Sequence, residues 1–270
     1  MKSISYVIAI GIFSILVGCQ DTSTTKPSYM LLPETESHIL REAEELGRLL
    51  YEKDKCAAKA TDLLFEKVAN PNDMGICGWI VCKNDNGYVV IFVSLQEDRI
   101  VTLCQVFFEN SKYPELIQNK RSLTDEETAM FRARQHAFGI IEQACSEKYN
   151  TVVLPCSDGE GCLVYAIATT TDPQSIVVGG HYRGTISKDG NKVLSHRRFT
   201  KSCLILPTKP PDMPAGAELE AYTVSHLLDD VPTEIHVYLS LLHKKPFYVV
   251  TRDGRYWCIK DNVIKLLKSS

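Results

Sequence analysis

Three dipeptides, Asn86-Gly87, Asp189-Gly190 and Asp253-Gly254, constrain this chain more than any other feature, because each separates two runs rich in β-branched and aromatic residues. Asn-Gly and Asp-Gly supply the positive φ that a tight hairpin turn requires, so each dipeptide joins two antiparallel strands. The first turn, Asn84-Asp85-Asn86-Gly87, links residues 78–83 to 88–94, and a third run, 100–108, follows a charged turn at Gln96-Glu97-Asp98. Three successive strands with short connections imply an antiparallel meander. Further strand-like runs lie at 151–154, 163–169, 176–187, 192–199, 221–227, 234–242, 247–251 and 255–260, interrupted by a proline-rich loop at 207–214.

Two stretches carry helical spacing instead. Residues 36–69 place Ile39, Ala43, Leu46, Leu50, Ala57, Ala60, Leu64 and Val68 three, four or seven apart, and the stripe fails at Lys53-Asp54, where a kink or break is expected. Thr124-Asp125-Glu126-Glu127 has the capping-box pattern. It opens a second apolar stripe of Met130, Ala133, Ala137, Phe138, Ile141, Ala144 and Cys145, with Arg132, Gln135 and His136 on the polar side. This helix is expected to lie across the sheet. Grouped helices and antiparallel strands, without regular βαβ alternation, predict an α+β fold. Its sheets are built from meanders and hairpins, with a long N-terminal helix and a second helix packed on a sheet. The globular body covers residues 36–268, as one body or as two lobes, 36–148 and 149–268.

The N-terminus fixes an address. Lys2 precedes an almost unbroken apolar run from Ile4 to Val17, too short to span a bilayer comfortably, and Leu16-Val17-Gly18-Cys19 closes it. This ending resembles the lipobox of bacterial lipoproteins. The resemblance implies a signal peptide at 1–18, lipidation of Cys19 and a membrane partnership through that lipid. In the sorting rule of Gram-negative lipoproteins an Asp after the cysteine retains the protein at the inner membrane. Gln20 stands there, which favours the periplasmic face of the outer membrane. Residues 19–35, with Thr22-Ser23-Thr24-Thr25-Lys26-Pro27, show no apolar periodicity and read as a tether. Met130-Phe131-Arg132-Ala133-Arg134-Gln135, Tyr149-Asn150-Thr151-Val152-Val153-Leu154-Pro155 and Thr200-Lys201-Ser202-Cys203-Leu204 are similar to bacterial envelope proteins of uncharacterised function, a likeness that implies no activity.

Charge and cysteine content narrow the chemistry. Without Lys2 the chain keeps 29 basic residues against 33 acidic ones, so a nucleic-acid partner is not expected. Ten cysteines in an oxidising compartment should partly pair, and lipidation of Cys19 leaves an odd number. Cys156 and Cys162 are the best local pair, across a Gly-rich turn, and closing that small loop would stabilise by roughly 2 kcal/mol. Cys77 and Cys82, five apart on one strand, point to opposite faces and cannot reach each other. Cys56, Cys104, Cys145, Cys203 and Cys258 read as buried small hydrophobes.

The chain lacks H-E-x-x-H, G-x-S-x-G, G-x-x-x-x-G-K-[ST] and G-x-G-x-x-G, and no catalytic residue, metal ligand set or cofactor is assigned. The most suggestive constellation surrounds Asp189-Gly190. If Ser187 and Lys192 set the register, Arg183 falls opposite His196 and His181 opposite Arg198, forming a basic cluster on one sheet face. Such a cluster calls for a counter-anion, either an anionic ligand or an acidic envelope protein, and Gly179-Gly180 could let a ligand approach the backbone. A second candidate is Glu234, His236 and Tyr238 on one strand face, with His226 and His243 near in sequence, able to supply nitrogen and oxygen ligands. Cys203 beside Lys201 is a weaker, nucleophilic candidate. The expectation is a lipid-anchored accessory protein that binds through His181, Arg183, His196 and Arg198. The alternatives are an envelope hydrolase with a His-centred or metal-dependent site, and a structural lipoprotein without a specific ligand.

Overall fold

The helical stripe near the N-terminus produces one uninterrupted helix, α1 (Glu34–Lys67). A computed structural model describes residues 5–9, 33–97, 99–109, 113–155, 159, 161–214 and 216–267. Of the expected signal peptide only residues 5–9 are described, and they pair in parallel with residues 218–223 as a strand of the body rather than standing apart as a leader; Cys19 and most of the tether lie outside the described residues. The expected positions Ala43, Leu50, Ala57, Ala60 and Leu64 of α1 are buried; at the start of the stripe Leu40 takes the inward place of Ile39, which is 50% exposed, and Lys53 joins the buried set. No break occurs at Lys53: that side chain takes a core position and points inward.

The fold class is α+β, with open antiparallel sheets made from hairpins and meanders. In chain order the strands are β1 (Ser5–Ala9), β2 (Ile76–Asn84), β3 (Gly87–Gln96), β4 (Arg99–Glu109), β5 (Glu115–Ile117), β6 (Lys148–Pro155), β7 (Gly161–Thr169), β8 (Ser175–Val177), β9 (Tyr182–Ser187), β10 (Val193–Arg198), β11 (Ile205–Pro207), β12 (Glu218–His226), β13 (Phe247–Thr251), β14 (Tyr256–Lys260) and β15 (Val263–Leu267). Helices α2 (Asp125–Gln135) and α3 (Glu234–His243) lie between β5 and β6 and between β12 and β13. The chain divides into two compact units that interleave in sequence: residues 49–169 with 180–198, and 1–48 with 170–179 and 199–270. A single cut after residue 148 does not describe this division.

In the unit of residues 49–169 and 180–198, the expected meander forms one sheet in the order β2-β3-β4-β5, and β10-β9-β7-β6 forms another. The first sheet is covered on both faces. Ala57, Ala60 and Leu64 of α1 pack on Val81, Val90, Phe92, Cys104 and Val106, while Ile80, Val89, Ile91 and Val93 face Met130, Phe131 and Ala133 of α2. Coverage on both sides explains why β3 reads as a continuous apolar run rather than an alternating one. The capping box of α2 is present: Glu127 N–H donates to Thr124 Oγ1 and Thr124 N–H donates to Glu127 Oε2. The helix stops at Gln135, and Ala137 and Ile140 continue the buried stripe from turns.

In the other unit the sheet order is β1-β12-β13-β14-β15, with β1, β12 and β13 parallel and the rest antiparallel. A parallel pair needs a crossover, and α3 provides it. Residues 234–242 are therefore helical, not the expected strand. Their alternation of polar and apolar residues imitates a strand because Glu234 through Ser240 are all buried, which removes any amphipathic stripe. Gly47 of α1 lets α3 approach closely: a Cβ there would lie 2.5 Å from Val237 Cβ and 2.7 Å from Glu234 O.

Candidate functional site

The hairpin around Asp189-Gly190 forms, and Ser187 N–H donates to Lys192 O at 2.8 Å, the closing pair expected from the sequence. Gly190 has φ of +77°, and a Cβ there would collide with Ala129 O, so the turn seats directly on α2. Beyond the turn a bulge between Val193 and Ser195 shifts the ladder by one residue. Arg183 consequently pairs with Arg197, His196 with Gly184, and Arg198 with Tyr182. Because side chains alternate along a strand, that shift separates the four residues expected to cluster. His181 is fully buried and precedes β9, Arg183 is half-buried, and His196 and Arg198 are exposed. His196 Nε2 lies 3.1 Å from Glu142 Oε1. Gly179 and Gly180 are used internally, since Cβ atoms there would meet Ser202 O at 2.6 Å and Cys145 Cβ at 2.3 Å respectively. They do not leave room for a ligand.

The second expected grouping is partly assembled, from a helix and a strand end rather than one strand face. His226 at the end of β12 and His236 in α3 meet edge to face, with ring centroids 4.7 Å apart. His226 Nε2 lies 2.7 Å from Asp229 Oδ2, and Thr233 N–H donates to His236 Nδ1 at 3.0 Å. His243 lies beside Tyr222, with its pKa lowered by burial. Among the described residues, no group of three or more His, Cys, Asp or Glu side chains is placed to hold a metal ion.

Cys145 and Cys203 are each disulfide-bonded. That corrects their reading as buried small hydrophobes, and a bonded Cys203 sulfur is not a nucleophile. The expected disulfide between Cys156 and Cys162 is not formed: Cys162, buried opposite Pro155 in the β6–β7 ladder, keeps its thiol, and Cys156 lies outside the described residues. Cys77 and Cys82 remain thiols.

The strongest electrostatic anomaly is one that the strand pattern did not reveal. Lys53, 4% exposed, donates from Nζ to Val81 O at 2.7 Å and to Val153 O at 3.0 Å. Val81 lies on β2 and Val153 on β6, the outermost strands of their two sheets, so one ammonium bridges two sheet edges. Nearby, the Arg134 guanidinium stacks over the Trp79 ring, 4.3 Å from its centroid. Gly78 leaves room for it, because a Cβ there would lie 2.7 Å from Arg134 Nη1. Burial pulls Lys53 down to about 8 and Arg134 down to about 10. Both shifts follow from desolvation, which disfavours the charged form. Arg134 Nε and Thr151 Oγ1 are buried without a hydrogen-bond partner. Each such group costs about 1–3 kcal/mol, and more when it is charged. All four side chains line one cavity of about 10 Å³. The signals in the sequence were Lys53 interrupting an apolar stripe and Arg134 falling among the helix residues that pack inward.

Comparison with known proteins adds no relative: no family model, no curated protein and no solved structure matches this chain.

Proposed function

We propose that this protein is a lipid-anchored component of the bacterial cell envelope, held to the membrane through Cys19, that acts by binding an acidic, extended segment of an envelope partner along strand β10. The observation that carries this reading is the open edge: β10 is the last strand of its sheet, and Leu194, Ser195, His196 and Arg198 on it are exposed. An exposed edge offers unpaired backbone groups for strand addition, and the Arg198 guanidinium on it favours an acidic partner and discourages self-association. The disulfide-bonded Cys145 and Cys203 support an oxidising compartment, and Gln20 favours the outer membrane.

The test is crosslinking capture of the lipidated protein from intact envelopes, beside a His196→Glu/Arg198→Glu double variant and a Cys19→Ser variant. The reading expects one partner to be recovered with the parent and lost with the double variant, and the Cys19→Ser protein to leave the membrane fraction. A partner recovered equally with the double variant removes β10 from the contact. Retention of Cys19→Ser in the membrane removes the anchor.

A further inference from the structure

Lys53 enters the small cavity from α1, Arg134 from α2 and Thr151 from β6, and no carboxylate lines it. All three belong to the unit of residues 49–169 and 180–198. An ammonium carries three N–H groups, and Lys53 commits two of them to Val81 O and Val153 O. Arg134 Nε–H and the Thr151 hydroxyl have no partner, and their residues are 8% and 5% exposed. We propose that this cavity binds one monatomic monovalent anion, chloride under ordinary ionic conditions, between Lys53 Nζ, Arg134 Nε and Thr151 Oγ1.

Size and chemistry select that ligand. A cavity of about 10 Å³ is at the threshold for one water-sized occupant, which favours a single small ion over a larger oxyanion. A water could accept from two of the donors, but it would have to place its own two protons. Water would also leave two buried cations without a counter-charge, the arrangement that folded interiors most strongly disfavour. A halide accepts from every donor and supplies the missing charge. The depressed pKa values of Lys53 and Arg134 describe this site without such a counter-charge, and bound anion would move both back up. The Arg134 guanidinium is held in place by Trp79 beneath it and by the space at Gly78, so the donor set is preorganised.

The experiment uses the intact protein in detergent. Thermal unfolding is followed while sodium gluconate is replaced by sodium chloride at constant ionic strength, and crystals grown with sodium bromide are examined by anomalous diffraction. The expected results are a saturable rise in Tm, roughly 3–6 °C at a chloride concentration ten times its dissociation constant, and a bromide peak inside the cavity. Thr151→Val should keep the fold and weaken the chloride dependence several-fold, and Arg134→Gln should abolish it. Equal Tm in both salts, or bromide found on the surface alone as an adventitious ion only, overturns the proposal. If Arg134→Gln does not fold, Thr151→Val decides, and an unchanged chloride dependence in that variant overturns the proposal equally.

Discussion

Replacing Lys53 by Met keeps the length of the side chain and removes its charge, which turns the buried ammonium into a quantitative test. In the native protein the proton on Lys53 is held less tightly than in the unfolded chain, with the pKa falling from 10.5 to about 8. That difference corresponds to about 3 kcal/mol of cost for keeping the group charged inside. The sign follows from proton binding. Between pH 8 and 10.5 the unfolded chain holds the proton that the folded protein releases, so stability contributed at this site rises with pH across that window. A neutral amine still donates to Val81 O and Val153 O, so the hydrogen bonds survive deprotonation. Lys53→Met loses both bonds at every pH and leaves the two carbonyls unmet by the amine, at about 1–3 kcal/mol each. It also escapes the desolvation cost that the parent bears at neutral pH. The two terms nearly offset at pH 7.5, where the variant should be within about 2 kcal/mol of the parent. By pH 10.5 the gap should have widened by about 3 kcal/mol in favour of the parent. Urea unfolding of both proteins at several pH values, in gluconate buffer, measures the gap. The thiols of Cys56, Cys82 and Cys104, pushed up to about 11 by burial, oppose the trend; Cys104 cancels in the difference, while Cys82 and Cys56 feel the Lys53 charge and titrate coupled to it. A gap that is flat across the window, or that narrows, refutes the account of Lys53 as a charged group bridging two sheet edges.

Other perturbations test other parts of the structure. Gly47→Ala gains about 1 kcal/mol of helix propensity but forces a Cβ against Val237 and Glu234 O, so thermal melts should show net destabilisation of about 1–2 kcal/mol. Arg121 donates to both oxygens of Glu127, at 2.7 Å each, and holds that carboxyl below its usual range. The stability this contributes is full above about pH 4.5 and is lost as the pH falls. Glu127→Gln should therefore flatten the acid limb of a pH–stability curve measured by circular dichroism. Trp257 is fully buried and donates from Nε1 to Thr251 Oγ1 at 3.0 Å, so Trp257→Phe should lower urea stability by about 2 kcal/mol.

The hairpins were legible because turn residues act locally: the strands expected on either side of Asn86-Gly87 and Asp253-Gly254 are joined, although the first turn is made by Asp85-Asn86 and Gly87 already opens β3 opposite Asn84. The capping box at Thr124 was legible for the same reason. The ladder beyond Asp189-Gly190 was not, because the bulge at Val193–Ser195 adds a residue that no turn rule announces. Helix α3 was missed because burial all round its first two turns leaves no polar face to mark the period. Lys53 was visible as an anomaly and misread as a break, since lysine is rarely fully buried without a partner. Its partners, Val81 O and Val153 O, are backbone atoms 28 and 100 residues away. Spacing within α1 carries no trace of them.

The interleaving of the two units bears on how this chain can be made. It passes from one to the other after residues 48, 169, 179 and 198, so no truncation at either end leaves one unit whole and discards the other. Synthesis delivers the chain from its N-terminus, and domains generally fold as their segments become available. Residues 49–198 contain everything the first unit needs, while residues 34–48 of α1 must wait for the last seventy or so residues before their own unit is complete. During that interval the leading half of a long helix has its inward stripe, Leu40 and Ala43, in water. Chaperone capture during synthesis should therefore fall on the front of α1, and a chain stalled before residue 199 should present a finished unit beside an unburied helix segment.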